Sequence, residues 1–302
     1  MANSLALAQI YQDNIDKAIA VNSKSAFLEA NPNNVQYNGG NTIKIADISF
    51  GSGTTGDLKA YNRSTGFTQG SVTLAWSDYT LDYDLAQSFQ IDAMDVDETK
   101  NLATVGNVLS EYQRTKIVPA IDKYRFTKLA NDGTGVGGVI DLSKPDASAQ
   151  ALMGDIATAM ELVDDSNQLI LVTSPTTLAG LLNTALIRES KNTQVLRRGE
   201  VDTKITFIQD VEVLQVPSEY LYDKVAPKVG VPDYTGAKKI PYMIFKRDAP
   251  TGIVKTDKVR VFEPDTNQSA DAYKVDLRLY HDLIVPKNQR PGIIKASFGT
   301  IA

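Results

Sequence analysis

Between Asn41 and Ala130 the chain holds two elements too long for a compact domain of its size to wrap. The first is a pair of alternating segments, residues 42–48 and 71–76, whose period of two predicts a β-hairpin. Between them lie Gly51, Gly53, Gly56, Gly66 and Gly70, set among Ser, Thr and Asn. This tip has too few apolar groups to pack alone, and loops of such length inside compact domains are usually functional. The second element is a helix predicted over residues 98–131, roughly 50 Å long at 1.5 Å per residue. A hairpin and a helix of that reach need surfaces on other chains, which points to an assembly subunit rather than an enzyme.

The helical pattern is specific. Leu102, Val105, Leu109, Tyr112, Ile117, Ile121, Tyr124 and Leu129 form one apolar stripe, and Glu111, Arg114, Lys116, Asp122 and Arg125 form the opposite, solvent-facing side. Pro119 within the pattern should kink the helix or divide it, because its ring removes a hydrogen bond and clashes with the preceding turn. Asp92, Asp95, Asp97 and Glu98 precede the stripe. Asp95 and Asp97 can cap the helix, with Glu98 at capping-box spacing from Asp95, and that accounts for the acidic cluster better than a divalent cation does.

The remaining pattern is mixed α and β. Residues 1–36 read as an arm ending in the breaker Asn31-Pro32-Asn33-Asn34. Leu152, Ile156, Ala159, Met160 and Val163 mark a helix, residues 168–173 a buried strand, and Ser174-Pro175 an N-cap with proline at the first helical position. Residues 204–208 and 211–216 flank Gln209-Asp210 as a hairpin, and 240–245 and 258–262 are further strands. Near the end, Tyr273, Val275, Leu277, Leu279, His281, Leu283 and Val285 alternate with Lys274, Asp276, Arg278, Tyr280 and Asp282. That strand is roughly 43 Å long.

Composition narrows the class. A hydrophobic content of 42% and a charged content of 22% are those of an ordinary globular protein, and a net charge of -5 disfavours a large basic nucleic-acid footprint. The absence of cysteine excludes disulfides, thiolate metal sites and a thiol nucleophile. No apolar run reaches membrane-spanning length, and the start lacks signal-peptide character, so a cytoplasmic product is expected.

No group of residues is assembled for catalysis. Gly133, Gly135 and Gly138 match G-x-G-x-x-G, but a dinucleotide site needs strand, glycines, then helix. Here a helix ends and an extended segment follows, so a helix-stop loop is expected. His281 is the sole histidine and has no G-x-S-x-G elbow to serve, so a packed or interface histidine is expected. Arg188, Lys191, Arg197 and Arg198 form a modest basic patch without interleaved aromatics, better read as a solvated or interface face than as a nucleic-acid site. No cofactor or metal is expected.

The order of parts resembles the major capsid proteins of tailed double-stranded DNA phages, the Hong Kong 97-type fold. Residues 117–125 (Ile-Val-Pro-Ala-Ile-Asp-Lys-Tyr-Arg) are similar to that family's spine-helix segment. Residues 207–217 resemble its axial hairpin ending in Val-Pro, and residues 272–285 followed by Pro291-Gly-Ile-Ile294 resemble its terminal strand and exit. The resemblance implies an α+β fold with an arm at 1–36 and an extended loop at 37–90. A peripheral domain from 91–145 and 286–302 would hold the spine helix, and an axial domain at 146–285 would send strand 272–285 back to it.

It further implies pentamers and hexamers of an icosahedral head around double-stranded DNA, bound without sequence specificity. A separate scaffolding protein, a portal, a virion location and assembly in the host cytoplasm go with that reading. Leu58, Lys59, Tyr61, Arg63, Phe67 and Trp76 in the loop, with Arg114 and Arg125 on the helix, are the expected inter-subunit contacts. Some family members cross-link a loop lysine to a neighbour; Lys59 lies in that loop, but no acidic catalyst accompanies it. The alternatives are a bacterial nanocompartment shell of the same fold (encapsulin-like), a tail-tube or sheath protein, and an α/β hydrolase.

Overall fold

The computed structural model describes residues 23–30, 35–37, 42–50, 63, 72–94, 105–162, 168–198, 201–226, 231–267 and 269–301. The chain divides into two compact units, Pro32–Leu81 and the remainder. In the smaller unit, β1 (Val35–Tyr37), β2 (Thr42–Phe50) and β3 (Val72–Thr80) form an antiparallel sheet in that order. The β2–β3 ladder runs without a break from Thr42 opposite Thr80 to Phe50 opposite Val72, so β2 extends to Phe50 beyond the predicted 42–48 and β3 to Thr80 beyond the predicted 71–76. Of the loop between them only Arg63, exposed in a turn, is described; Leu58, Lys59, Tyr61 and Phe67 lie outside the described residues.

In the larger unit, β4 (Tyr83–Asp92) leads to a helical run. It comprises α1 (Val105–Tyr112), a π-helical turn (Gln113–Ile117) and α2 (Val118–Asp132). The expected start at Glu98 and the capping by Asp95 and Asp97 fall outside the described residues. Within them, the carboxylate of Asp92 accepts the Met94 N–H at 2.8 Å. Pro119 does not break the run: the backbone stays helical at Tyr112, Ile117 and Val118, and what changes ahead of the proline is the hydrogen bonding. Val118 N–H bonds back to the Gln113 carbonyl, five residues away, and the proline then stands in the first turn of α2. The extra residue in the turn relaxes the ring's crowding of the preceding carbonyls.

A seven-stranded sheet follows the order β5-β13-β10-β6-β9-β8-β7. Its strands are β5 (Gly135–Ile140), β6 (Leu169–Thr173), β7 (Lys191–Arg198), β8 (Val201–Ile208), β9 (Val211–Gln215), β10 (Tyr242–Lys246) and β13 (Ile294–Phe298). β6 is apolar from Leu169 to Val172 because both its faces are covered. Leu169 and Leu171 face the core beneath α3 (Pro145–Glu161), α4 (Pro175–Leu182) and α5 (Ala185–Ser190). Ile170 and Val172 face the opposite core, with Phe126, Leu129 and Ala130 of α2 and Leu28 of the arm. Burial of each such side chain is worth about 1.5–3 kcal/mol. The Ser174 hydroxyl caps α4 by accepting the Thr177 N–H at 3.2 Å. Gln209 and Asp210 both take positive φ, 48° and 64°, the two-residue hairpin turn that matches strand twist.

A second sheet of order β11-β12-β4 packs Val259, Val275 and Leu277 against Leu109 of α1. Its long strands are β11 (Thr251–Phe262) and β12 (Ala272–Ile284).

Several expectations change. Gly133 stops α2 as expected, its N–H bonding back to the Leu129 carbonyl, but from Gly135 on the glycine run is no loop: it is the strand β5, parallel to β13 and outermost among the described strands of its sheet. A Cβ at Gly135 would stand 2.6 Å from the Ile293 carbonyl oxygen, so glycine there serves close backbone approach and not a phosphate. The basic patch read at Lys191, Arg197 and Arg198 is a strand, β7, paired along its length with β8. Residues 83–92 do not continue the hairpin; they pair with β12 from Asp92 opposite Ala272 to Tyr83 opposite His281. β5 and β13 join the sheet of β6 rather than that of the long helix, and β11 joins the sheet of β12, so the sheets divide the chain differently from the sequence boundaries.

Candidate assembly surface and the polar core beneath the long helix

Asp122 and Arg125, expected on the solvent side of the helix, are 2% and 1% exposed. The arm covers them. Asp122 accepts hydrogen bonds from the Ser23 hydroxyl (2.6 Å), the Lys24 N–H (2.9 Å), and the Ser25 N–H and hydroxyl (3.1 and 2.6 Å). One turn on, Arg125 pairs with Glu29 at 2.6 Å, at the end of the 3₁₀ turn Ala26–Ala30. A carboxylate receiving two N–H and two O–H donors is compensated for its loss of water. Arg125 is therefore committed to its own chain beneath the surface, and the expectation of an exposed contact residue is corrected. The sequence carried no periodic signal for this, because the partners come from an irregular Ser-Lys-Ser segment nearly 100 residues away.

The end of β12 is buried on both faces, so Tyr280 and Asp282, which alternate with the apolar set, are also only 7% and 1% exposed. His281 is fully buried, its ring 4.3 Å from that of Tyr83 and 5.7 Å from that of Tyr124. Tyr83 and Tyr124 stack at 4.4 Å. Neither imidazole nitrogen has a hydrogen-bond partner among the described residues. Burial, with Arg125 nearby, holds the imidazole well below its usual pKa, so it is neutral. Asp282 beside it accepts from the Tyr124 hydroxyl (2.7 Å), the Asp82 N–H (3.0 Å) and the Leu283 N–H (2.7 Å), with Lys128 Nζ at 3.9 Å. Burial raises its pKa despite these partners. A histidine whose nitrogens touch no nucleophile or orienting carboxylate cannot relay protons in a hydrolytic triad. This arrangement is a packed core.

The exposed apolar groups gather elsewhere. On β3, Val72, Leu74 and Trp76 are 66%, 56% and 46% exposed, at alternate positions and so on one face. They stand opposite Phe50, Ile48 and Ala46 in the ladder. A row of large apolar side chains on a short sheet marks a surface for another chain or an aggregation risk.

No family model matches the chain, and no curated protein matches it in sequence. Solved structures do. The mature capsid of bacteriophage PhiM1 superimposes with a TM-score of 0.60 at 10% identity, over 87% of this chain and 83% of that one. The capsid of cyanophage P-SCSP1u gives 0.56 at 17% identity, over 87% and 84%. The fold is that of tailed-phage major capsid proteins. A virus-like particle from Pyrococcus furiosus also shares it, with a TM-score of 0.57 at 10% identity over 96% and 99% of the two chains.

Set in the capsid fold, the expected contact residues separate. Trp76 lies in the exposed row of β3 and Arg63 is exposed. Arg114 is exposed on the π turn and paired with Glu111 at 2.8 Å on the same helix. Such a surface pair contributes little to the fold and leaves the guanidinium accessible.

Proposed function

We propose that this chain is the shell-forming subunit of a tailed-phage head, a structural protein and not an enzyme. Copies assemble as pentamers and hexamers of an icosahedral shell that encloses double-stranded DNA, with a scaffolding protein and a portal as partners. The mature location is the virion, and assembly takes place in the host cytoplasm. The seven-stranded sheet with α3 to α5 corresponds in this reading to the axial domain, and the long helix with the β11-β12-β4 sheet to the peripheral domain.

The exposed row Val72, Leu74 and Trp76 carries the proposal, because it leaves apolar surface on a paired strand that the described residues do not cover. The capsid fold supports it. The neutral, enclosed His281 supports a structural reading over an α/β hydrolase. The fold shared with the Pyrococcus furiosus virus-like particle favours one second reading, a nanocompartment shell around protein cargo. Electron microscopy of the expressed chain, followed by assay of nuclease-protected nucleic acid inside particles formed in an infected or lysogenic host, separates the two. DNA contents support the phage head, and enclosed enzyme supports the nanocompartment.

A further inference from the structure

The open edge of the seven-stranded sheet offers a second exposed surface. β5 is outermost and, among the described residues, pairs only with β13. Alongside lies a groove of about 650 Å³ whose lining includes Val136, Phe298, Asp223, Lys238, Lys239 and Lys295. Val136 is 89% exposed and Phe298 45%. The groove combines an apolar wall with a basic rim. Lys239 pairs with Glu219 at 2.5 Å, and Lys295 donates to the Ala130 carbonyl at 2.8 Å. Asp223 accepts the Lys238 N–H at 2.7 Å. Three ammonium groups against the carboxylates of Asp223 and Glu219 leave a positive balance.

The chain carries a complement. Residues 92–98, Asp-Ala-Met-Asp-Val-Asp-Glu, are its densest acidic run, four carboxylates in seven residues with Met94 and Val96 between them. Met94 is 70% exposed, so in its own chain it does not fill the groove. We propose that the groove receives the 92–98 segment of a second copy, Met94 against Val136 and Phe298 and the carboxylates against Lys238 and Lys239. Donor and acceptor patches are different parts of one surface, so the contact is heterologous and repeats head to tail, as ring formation requires. The charges select the partner and the apolar pair supplies its seat. This contact rests on the shell reading.

The test is a charge swap on the full chain. K238E/K239E should cut particle yield by about tenfold or more, since carboxylates then face carboxylates, with monomer unfolding unchanged. K238E alone, which keeps the Lys239–Glu219 pair, should show a smaller loss in the same direction. D95K/D97K should be defective by itself and should restore assembly when combined with K238E/K239E. Wild-type yield from K238E/K239E, or a combined variant as defective as its parents, overturns the proposal. So does a duplex oligonucleotide that binds the wild type and not K238E/K239E while the swap gives no rescue, which would assign the groove to nucleic acid. A wild-type chain that forms no particles at all would instead overturn the shell reading itself.

Discussion

Asp122 and Ser25 meet twice on one oxygen: Oδ1 of the helix carboxylate accepts the Ser25 hydroxyl at 2.6 Å and its backbone N–H at 3.1 Å. With Ser23 and Lys24 also donating, this one side chain fixes residues 23–25 of the arm to the long helix. Asp122→Ala removes the shared carboxylate and leaves the buried Ser25 with only the Ser23 hydroxyl to bond, at a cost of about 1–3 kcal/mol. Denaturant unfolding should register that loss, and hydrogen exchange should show residues 23–30 opening ahead of the helix. Unchanged exchange in that segment would contradict the role given to Asp122.

His281 gives the fold an acid sensitivity of known sign. Its folded pKa lies well below the unfolded value of 6.5, so the unfolded state binds the extra proton first as pH falls. Stability is therefore complete above pH 6.5 and declines below it, by up to about 1.4 kcal/mol per pH unit. Asp282, whose pKa is raised from 3.8, acts in the opposite sense within the carboxylate range, where its folded form holds the proton longer. His281→Phe keeps an aromatic ring against the Tyr83–Tyr124 stack and should abolish the decline just below pH 6.5. A variant with the wild-type slope there would assign the proton elsewhere.

Trp76 is the only tryptophan, so it reports on its own surface. At 46% exposure it should emit as a partly solvated indole in the unassembled chain and shift to shorter wavelength when copies associate. Leu74→Ser with Trp76→Ser should leave monomer stability within about 0.5 kcal/mol, as surface substitutions do, and sharply reduce assembly. Full assembly of that double variant would remove the β3 row from the interface.

Gly135 allows close approach of the β13 entry. A Cβ there would lie 2.6 Å from the Ile293 carbonyl oxygen and 2.9 Å from that of Pro291, both backbone atoms that cannot swing aside. Gly135→Val should destabilise by about 1–3 kcal/mol, measured by thermal or urea unfolding. Gly154→Ala, with open space around its Cβ, is the matched control and should be neutral or slightly stabilising.

Elements whose signal is local were legible in the sequence: the β2–β3 hairpin from its alternation, the long helix from its stripe, α4 from Ser174-Pro175 and β6 from its apolar run. Strands set by distant partners were not. β5 reads as glycine loop because its glycines answer to Ile293 and Pro291. β7 reads as a charged patch for a different reason: its partner β8 is its neighbour in sequence, Arg198 opposite Val201, but its basic residues hide the strand pattern. The same holds for charge. Asp122, Arg125 and Asp282 look like surface residues until partners from the arm, from Asp82 just before β4 and from the long helix surround them. The exposed row of the candidate surface was visible only at Trp76; Val72 and Leu74 became distinctive once their neighbours left them uncovered.

Electron microscopy of the purified chain across a concentration series tests the central claim most directly. The account expects closed shells or capsomer-like rings whose yield rises with concentration. A monodisperse monomer of 32.9 kDa persisting at high concentration would contradict it.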